Sequence, residues 1–361
     1  MHITQTHLFK FWQRWEHHLS LGALVVGFCV DLVLAKRPDS VVDNLLLFSY
    51  LLVAGLTIIA LNIRARRTRE TEPILFLLML QFCFGGLASN LLILYGKSGT
   101  LTVDAIFVGL LVCLVLGNEY LRNRYTLLRL NIGLYYFLLL TYATIAVPVF
   151  VTHAIGGWVF LLSGALSLVW MGVFFTLLRT VALRGRDLRE MRSTYLVVAS
   201  IYLAFNLCYF LNVIPPVPLS LKGIGIYHSI LPQSDGSYVA LYEPAPWWEF
   251  WRDTSATYTL SAGDSAFCFS SVFAPADLTA PIEHRWEELD PATGRWETQS
   301  LVSFPISGGR AQGYRGWSVK SGLTPGEWRC DVETQSGALI GRVEFTAVAA
   351  SASPALSQTT L

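Results

Sequence analysis

Three carboxylates and an imidazole, Asp31, Asp39, Asp43 and His228, are the side chains best suited to proton transfer, and Arg37 and Lys222 are the nearest cations by sequence pattern. A carboxylate and a histidine brought within hydrogen-bond reach can perform acid–base work, and the cations can hold an anionic group beside them. The same residues also fit an ordinary reading, in which the acids pair with Arg37 or Lys222 and cap helices, with Asp43 or Asn44 at the N-cap of a helix. A second group, His284, Trp286 and Trp317, lies in aromatic, β-branched sequence and is a candidate binding patch. Ile282, His284 and Trp286 alternate with Glu283, Arg285 and Glu287, so on a strand the first three share one face. His284 there reads either as a cleft-facing group or as a core histidine beside Trp286. With no second histidine nearby, a metal site is not expected, because such sites need several converging ligands. No phosphate-cradling glycine loop, zinc spacing or nucleophile elbow occurs, and no cofactor is implied.

The elements that must position these residues follow from composition. The chain is 53% hydrophobic and 14% charged, against about 25% charged in soluble domains. Residues 1–214 carry 17 Lys/Arg and 10 Asp/Glu, and residues 215–361 carry 9 and 15, a reversal from net +7 to net −6. Such a switch marks a domain boundary. The arginines sit in short groups between apolar runs rather than along one face, which excludes a nucleic-acid footprint. Seven runs are long enough to cross a bilayer as helices: Leu19–Ala35, Leu45–Asn62, Ile74–Tyr95, Leu101–Gly117, Ile132–Val151, Gly157–Leu178 and Thr194–Val213. Alternate connectors hold 14 basic residues and the others only Lys36, Arg37 and Lys97. Basic connectors stay in the cytoplasm, so the N-terminus is expected inside and everything after Val213 outside. Asp31, Arg37, Asp39, Asp43, Lys222 and His228 then meet at one depth, beneath an outer domain.

After Ser237 the sequence breaks into short β-branched and aromatic runs separated by turns such as Pro291-Ala292-Thr293-Gly294 and Thr324-Pro325-Gly326. Eight strands are predicted: Tyr238–Tyr242, Ala256–Leu260, Ala266–Phe273, Ile282–Glu288, Thr298–Phe304, Gly316–Val319, Gly326–Thr334 and Leu339–Val348. They read as an Ig-like sandwich. The expected order is a cytoplasmic segment over residues 1–18, a seven-helix membrane bundle over 19–214, a stiff Pro-rich connector over 215–236, a periplasmic sandwich over 237–348 and a disordered tail over 349–361. Trp247, Trp248 and Trp251 crowd one short stretch and fit an interfacial anchor or a plug for one end of the sandwich. Of six cysteines, only Cys268 and Cys330 reach the oxidising side. They can form one disulfide, although Cys268 alternates with Phe267 and Phe269 and points away from the core if those rings point in.

The runs Ala266-Phe267-Cys268-Phe269, Ile282-Glu283-His284-Arg285-Trp286, Gly313-Tyr314-Arg315-Gly316-Trp317 and Gly326-Glu327-Trp328-Arg329-Cys330 resemble the bacterial "domain of unknown function 2914" family. The helical part resembles its polytopic form, through Gly27-Phe28-Cys29-Val30-Asp31, Arg37-Pro38-Asp39-Ser40, Gln81-Phe82-Cys83-Phe84-Gly85 and Pro215-Pro216-Val217-Pro218. That resemblance implies an architecture and an inner-membrane, cell-envelope setting, and brings no activity or catalytic residue with it. The partners to expect are the bilayer and an envelope protein, glycan or lipid headgroup. A non-catalytic binding protein, a membrane-embedded enzyme acting on a lipid-linked substrate, and a transmembrane sensor are the three readings the residues support, in that order.

Overall fold

The computed structural model describes residues 38–67, 74–98, 105–121, 127–182, 188–234, 236–249, 252, 254–261, 263–310, 312–349 and 354–361. Asp31, Arg37, Trp251 and the apolar run Leu19–Ala35 lie outside them.

Among the described residues six α-helices come first: α1 (Val41–Arg67), α2 (Ile74–Gly96), α3 (Ala105–Leu121), α4 (Leu128–Val147), α5 (Gly157–Leu177) and α6 (Leu188–Phe210). Five of them are long and apolar enough to cross a membrane, and α3 is a shorter apolar helix. Leucines outside the packed face, such as Leu56 and Leu203, stay exposed, as expected of helices that are hydrophobic all round. α1 begins where Ser40 Oγ accepts the Asp43 N–H at 3.3 Å. Ser40, rather than Asp43 or Asn44, is therefore the capping residue, and Asp43 supplies negative charge to the first turn. Asn44 instead ties its side-chain amide to the Pro38 and Ser40 carbonyls. α4 continues through a π-helical turn, Pro148–Thr152, and α5 through another, Leu178–Ala182. Proline cannot donate the regular helical bond, which explains the change of winding at Pro148.

Contacts divide the chain into two compact units. The helical unit holds the described residues up to Leu94, Val108–Ala143 and Gly164–Phe205; the other holds Tyr95–Phe107, Thr144–Ser163 and Asn206–Leu361. Inside the helical unit, aromatic hydroxyls serve as the polar links between helices: Trp170 Nε1 donates to Tyr135 Oη at 2.8 Å, and Tyr142 Oη donates to the Asn44 carbonyl at 3.4 Å.

The second unit is β-rich. Its strands are β1 (Ser220–Tyr227), β2 (Ser229–Pro232), β3 (Tyr238–Tyr242), β4 (Thr257–Leu260), β5 (Ser265–Phe273), β6 (Thr279–Asp290), β7 (Arg295–Ser307), β8 (Tyr314–Ser321), β9 (Gly326–Thr334), β10 (Leu339–Ala349) and β11 (Ser357–Thr360). They form three sheets, in the orders β1-β5-β8, β4-β10-β9-β6-β7 and β11-β3-β2. The first two face each other across a core that includes Ile226, Cys268, Trp286, Trp328, Cys330 and Phe345, continued by Leu219, Val272, Ile282, Val332 and Ile340. The third sheet covers the other side of β5, where Phe269 meets Tyr227, Ile230 and Ala240.

Three expectations change. The segment 215–236 is not a stiff spacer: Pro215–Leu219 turns twice, through Val217 N–H to the Pro215 carbonyl and Leu219 N–H to the Pro216 carbonyl. It then delivers the chain into β1, which pairs with β5. Nor are residues 349–361 a disordered tail throughout, since β11 pairs antiparallel with β3 from Ser357 to Thr360. Backbone pairing and the apolar Leu361 hold a segment whose polar composition gives no strand signal. Finally, Cys268 and Cys330 form a disulfide. Cys268 faces the core between the first two sheets while Phe267 and Phe269 face the third sheet, so the alternation does not turn Cys268 away from the core.

Candidate functional site

Strand β6 crosses the sheet beside both β7 and β9, which buries one of its faces against the opposing sheet. His284 is fully buried there. Its Nε2 lies 2.7 Å from Ser270 Oγ and its Nδ1 2.9 Å from Ser318 Oγ, and Ser318 Oγ also accepts the Trp286 indole N–H at 2.9 Å. Phe304 packs edge-on against the imidazole at 4.9 Å. Gly316 makes room for that ring, since a Cβ there would overlap Phe304. Burial pushes the His284 pKa down to about 4, so the ring is neutral. His284, Cys268 and Cys330 offer nitrogen and sulfur atoms within 4.8 Å of one another. A disulfide has no thiolate to offer a metal, and the imidazole already bonds two hydroxyls, so these residues do not fit a metal ion in the disulfide form. His284 and Trp286, predicted as binding residues, are fully buried core groups. Period-two alternation puts them on the correct face, but a buried face and a cleft look alike in sequence.

The opposite face of the same sheet carries interlocked charge. Arg285 bonds Glu333 at 2.5 Å, Arg329 bonds Glu287 at 2.5 Å and lies 4.3 Å over the Trp296 ring, and Arg342 grips both oxygens of Asp331. Burial raises the Glu333 pKa against the opposing pull of Arg285. Cross-strand neighbours of opposite charge stabilise register, and this ladder is a structural feature of β6, β9 and β10.

His228 follows β1. Its Nε2 lies 2.9 Å from Glu243 Oε1, and its ring stacks on Tyr258 at 4.1 Å with 11° between planes. Glu243 is itself fixed by the Thr259 N–H at 2.6 Å and the Thr259 hydroxyl at 3.1 Å. The imidazole is therefore clamped between a carboxylate and a ring, with Asp39 and Asp43 belonging to the helical unit. Lys222 on β1 sits 5.5 Å from the Phe273 ring centroid. Trp317 packs against Phe267 at 5.7 Å. Trp247 and Trp248 lie on a tight turn closed by Glu249 N–H to the Pro246 carbonyl, and are 86% and 57% exposed.

A cavity of about 410 Å³ in the second unit is the feature that sequence reasoning missed. One wall is built by Pro148, Val159, Phe160 and Tyr209, with Phe160 and Tyr209 stacked at 3.7 Å. The Pro215–Val217 turn and Pro281 continue it, and the β9–β10 turn closes it with Thr334, Gln335, Ser336 and Ala338. Asn212 joins the two sides: its side-chain amide reaches the Ser336 carbonyl at 3.5 Å. Asn212 has φ 53° and follows α6, where the Val213 N–H bonds the Cys208 carbonyl, a left-handed helix end of the kind asparagine tolerates. His153 ends the Pro148–Thr152 turn in the same conformation, at φ 49°. The lining residues are apolar or uncharged polar, with no ionisable carboxylate, imidazole, amine or guanidinium among them. The volume lies in the ~300–1,000 Å³ range of small-ligand sites. The one signal in the sequence is the Pro215-Pro216-Val217-Pro218 run, which turns here rather than extends.

The strands that frame this unit also carry a match to a known family. Residues 280–347 match the family described as "Protein of unknown function (DUF2914)". The DUF2914 segment takes in β7, β8, β9 and nearly all of β6 and β10, and with them Trp286, Cys330 and the Arg–carboxylate ladder, which supports the resemblance drawn from the sequence. It also contributes Pro281, Thr334, Gln335, Ser336 and Ala338 to the cavity. No curated protein matches the chain. Among solved structures, the Pseudomonas fluorescens alkylpurine DNA glycosylase AlkC, bound to DNA containing an abasic site analog, is similar at 12% identity over 83% of this chain and 77% of that one. The TM-score is 0.19, too low to bear on fold or function.

Proposed function

We propose that this chain is an integral protein of the bacterial inner membrane that acts by binding rather than catalysis, with a seven-helix bundle, a cytoplasmic N-terminus and an Ig-like sandwich on the outer face. The cavity carries the reading. Its walls would solvate a neutral amphipathic ligand, the headgroup of an envelope lipid or a lipid-linked glycan, through the amide and hydroxyls of Asn212, Ser163, Thr334 and Ser336 against Phe160, Val159 and Pro148. A phosphate or carboxylate buried there would find no paired cation, at a cost of several kcal/mol. Trp247 and Trp248 are placed by this reading at the lipid headgroups, where amphipathic rings are favoured.

The competing reading is an enzyme using Asp31, Asp39, Asp43 and His228. It is supported by the His228–Glu243 contact, since a histidine oriented by a carboxylate is a common acid–base arrangement. Replacing each aspartate singly by Asn separates the two readings, because an enzyme loses function with folding intact and a binder does not.

The direct test is native mass spectrometry of the full chain solubilised from membranes in mild detergent. A co-purified neutral lipid or glycolipid is expected, and Ala338→Phe, which fills the cavity, should reduce it about tenfold. Equal recovery from both proteins would remove the cavity as the site.

A further inference from the structure

Strand β11 is held almost entirely by its backbone. It lies at the edge of its sheet, with β3 in the centre and β2 beyond. Ser357, Gln358, Thr359 and Thr360 oppose Tyr242, Leu241, Ala240 and Val239. None of these four side chains makes a hydrogen bond or ion pair with another described residue, and they alternate between half-buried and exposed. The anchor is the next residue. Leu361 packs beside Tyr227, Ile230, Ala240 and Phe269. Its N–H and carbonyl exchange bonds with Tyr238 at 2.8 and 3.1 Å, and Arg315 Nη1 donates to the same carbonyl at 3.1 Å. Arg315 is itself steadied by Gln312 Oε1 at 2.6 Å.

Three components of a strand-addition site are thus present: a β3 edge whose pairing groups only β11 occupies, a hollow for one aliphatic side chain, and a guanidinium on the backbone oxygen of that residue. In this recognition mode the ladder provides affinity and the pocket selects the side chain. The occupant is weakly matched to its seat. Each ordered residue costs backbone entropy, and only one of the five residues 357–361 buries an apolar side chain in return.

We propose that the β3 edge, with the Leu361 hollow and Arg315, is a binding site for an extended peptide segment of another protein, and that Ser357–Leu361 occupies it in cis as a displaceable competitor. The partner is a strand of small hydroxyl or β-branched residues followed by an aliphatic one. The site is separate from the cavity.

The test uses the full chain in detergent, a fluorescent peptide of sequence Leu-Ser-Gln-Thr-Thr-Leu and anisotropy as the readout. Leu361↔Tyr238 exchanges both bonds, so by alternation Thr359↔Ala240 does too. Thr359→Pro therefore removes a ladder bond from the competitor. This variant is expected to bind the peptide about tenfold more tightly than the unchanged chain, and a peptide with Pro at the matching position should not bind. Leu361→Ser, which leaves the backbone untouched, should act in the same direction and serves if the proline shifts the melting transition. Equal affinity in all three proteins, absent binding in all, or exchange of the strand between two copies seen as a concentration-dependent dimer would each overturn the proposal.

Discussion

His284 was the side chain most open to a functional reading, and its surroundings turn it into a pH-dependent core element. In the unfolded chain it titrates near its ordinary value of 6.5, and in the fold burial lowers the pKa to about 4. Between those values the unfolded chain takes up a proton that the folded chain refuses, so stability rises with pH across this window. The contribution is complete above about pH 6.5 and lost as the pH falls through 4. Its size, from the difference between the two values, is about 3 kcal/mol. Comparing thermal melts of the β-rich unit at pH 7 and pH 4.5 for the unchanged chain and His284→Gln checks this. The substitution should lower the melting temperature at pH 7, and it should flatten the slope between the two pH values. An unchanged slope would mean that other groups, such as Glu333, govern the acid transition. The period-two alternation of His284 with Ile282 and Trp286 gives its face of the strand correctly. It could not see Ser270 and Ser318, which come from strands 14 and 34 residues away, and those hydroxyls decide that the ring is satisfied rather than reactive.

At the scale of elements, all eight predicted strands exist within a few residues of their predicted bounds, because turn signals and β-branched runs are local. What local signals cannot report is how many sheets cover a strand. β5 lies under a sheet on each side, so both its alternating sets are buried, and the argument from Phe267 and Phe269 against the Cys268–Cys330 bond loses its premise. β1 and β11 escaped for a related reason. The first follows a proline run that suggests a spacer, and the second is polar and held by β3 rather than by its own pattern. The disulfide closes a loop of 62 residues between the two facing sheets, which corresponds to about 4 kcal/mol of denatured-state entropy. Cys268→Ala is accordingly expected to lower the free energy of unfolding of the β-rich unit by about 2–4 kcal/mol, read from denaturant titration monitored by the buried Trp286 and Trp328. A loss well below that range would indicate that the reduced sheets remain tightly paired through the Trp286–Ser318–His284 cluster alone.

For the whole molecule, the proposed placement of the β-rich unit outside the cytoplasm rests on the arginines. Fourteen basic residues fall in alternate connectors and three in the others, and an error of one span would mix the two sets instead of separating them. On that proposal an odd number of crossings would carry the chain from an inner N-terminus to an outer β-rich unit, and the oxidising outer side is where a disulfide between Cys268 and Cys330 would persist. Two single-cysteine probes in a background where Cys29, Cys83, Cys113 and Cys208 are replaced by Ser or Ala test the assignment in intact cells. Gln335→Cys, in the exposed β9–β10 turn, should react with a membrane-impermeant maleimide without permeabilisation, and Arg64→Cys, at the exposed end of α1, only after it. The reverse pattern would put the cavity and the peptide-binding edge on the cytoplasmic side, where their ligands would be drawn from different chemistry. Labelling of both probes in intact cells would instead point to an even number of crossings between Arg64 and Gln335, and with it to one of the five helices α2–α6 lying along the membrane rather than through it. The shorter α3 is the helix to examine in that case, since its apolar run Ala105–Gly117 is the only one below the length of a full crossing among the described helices.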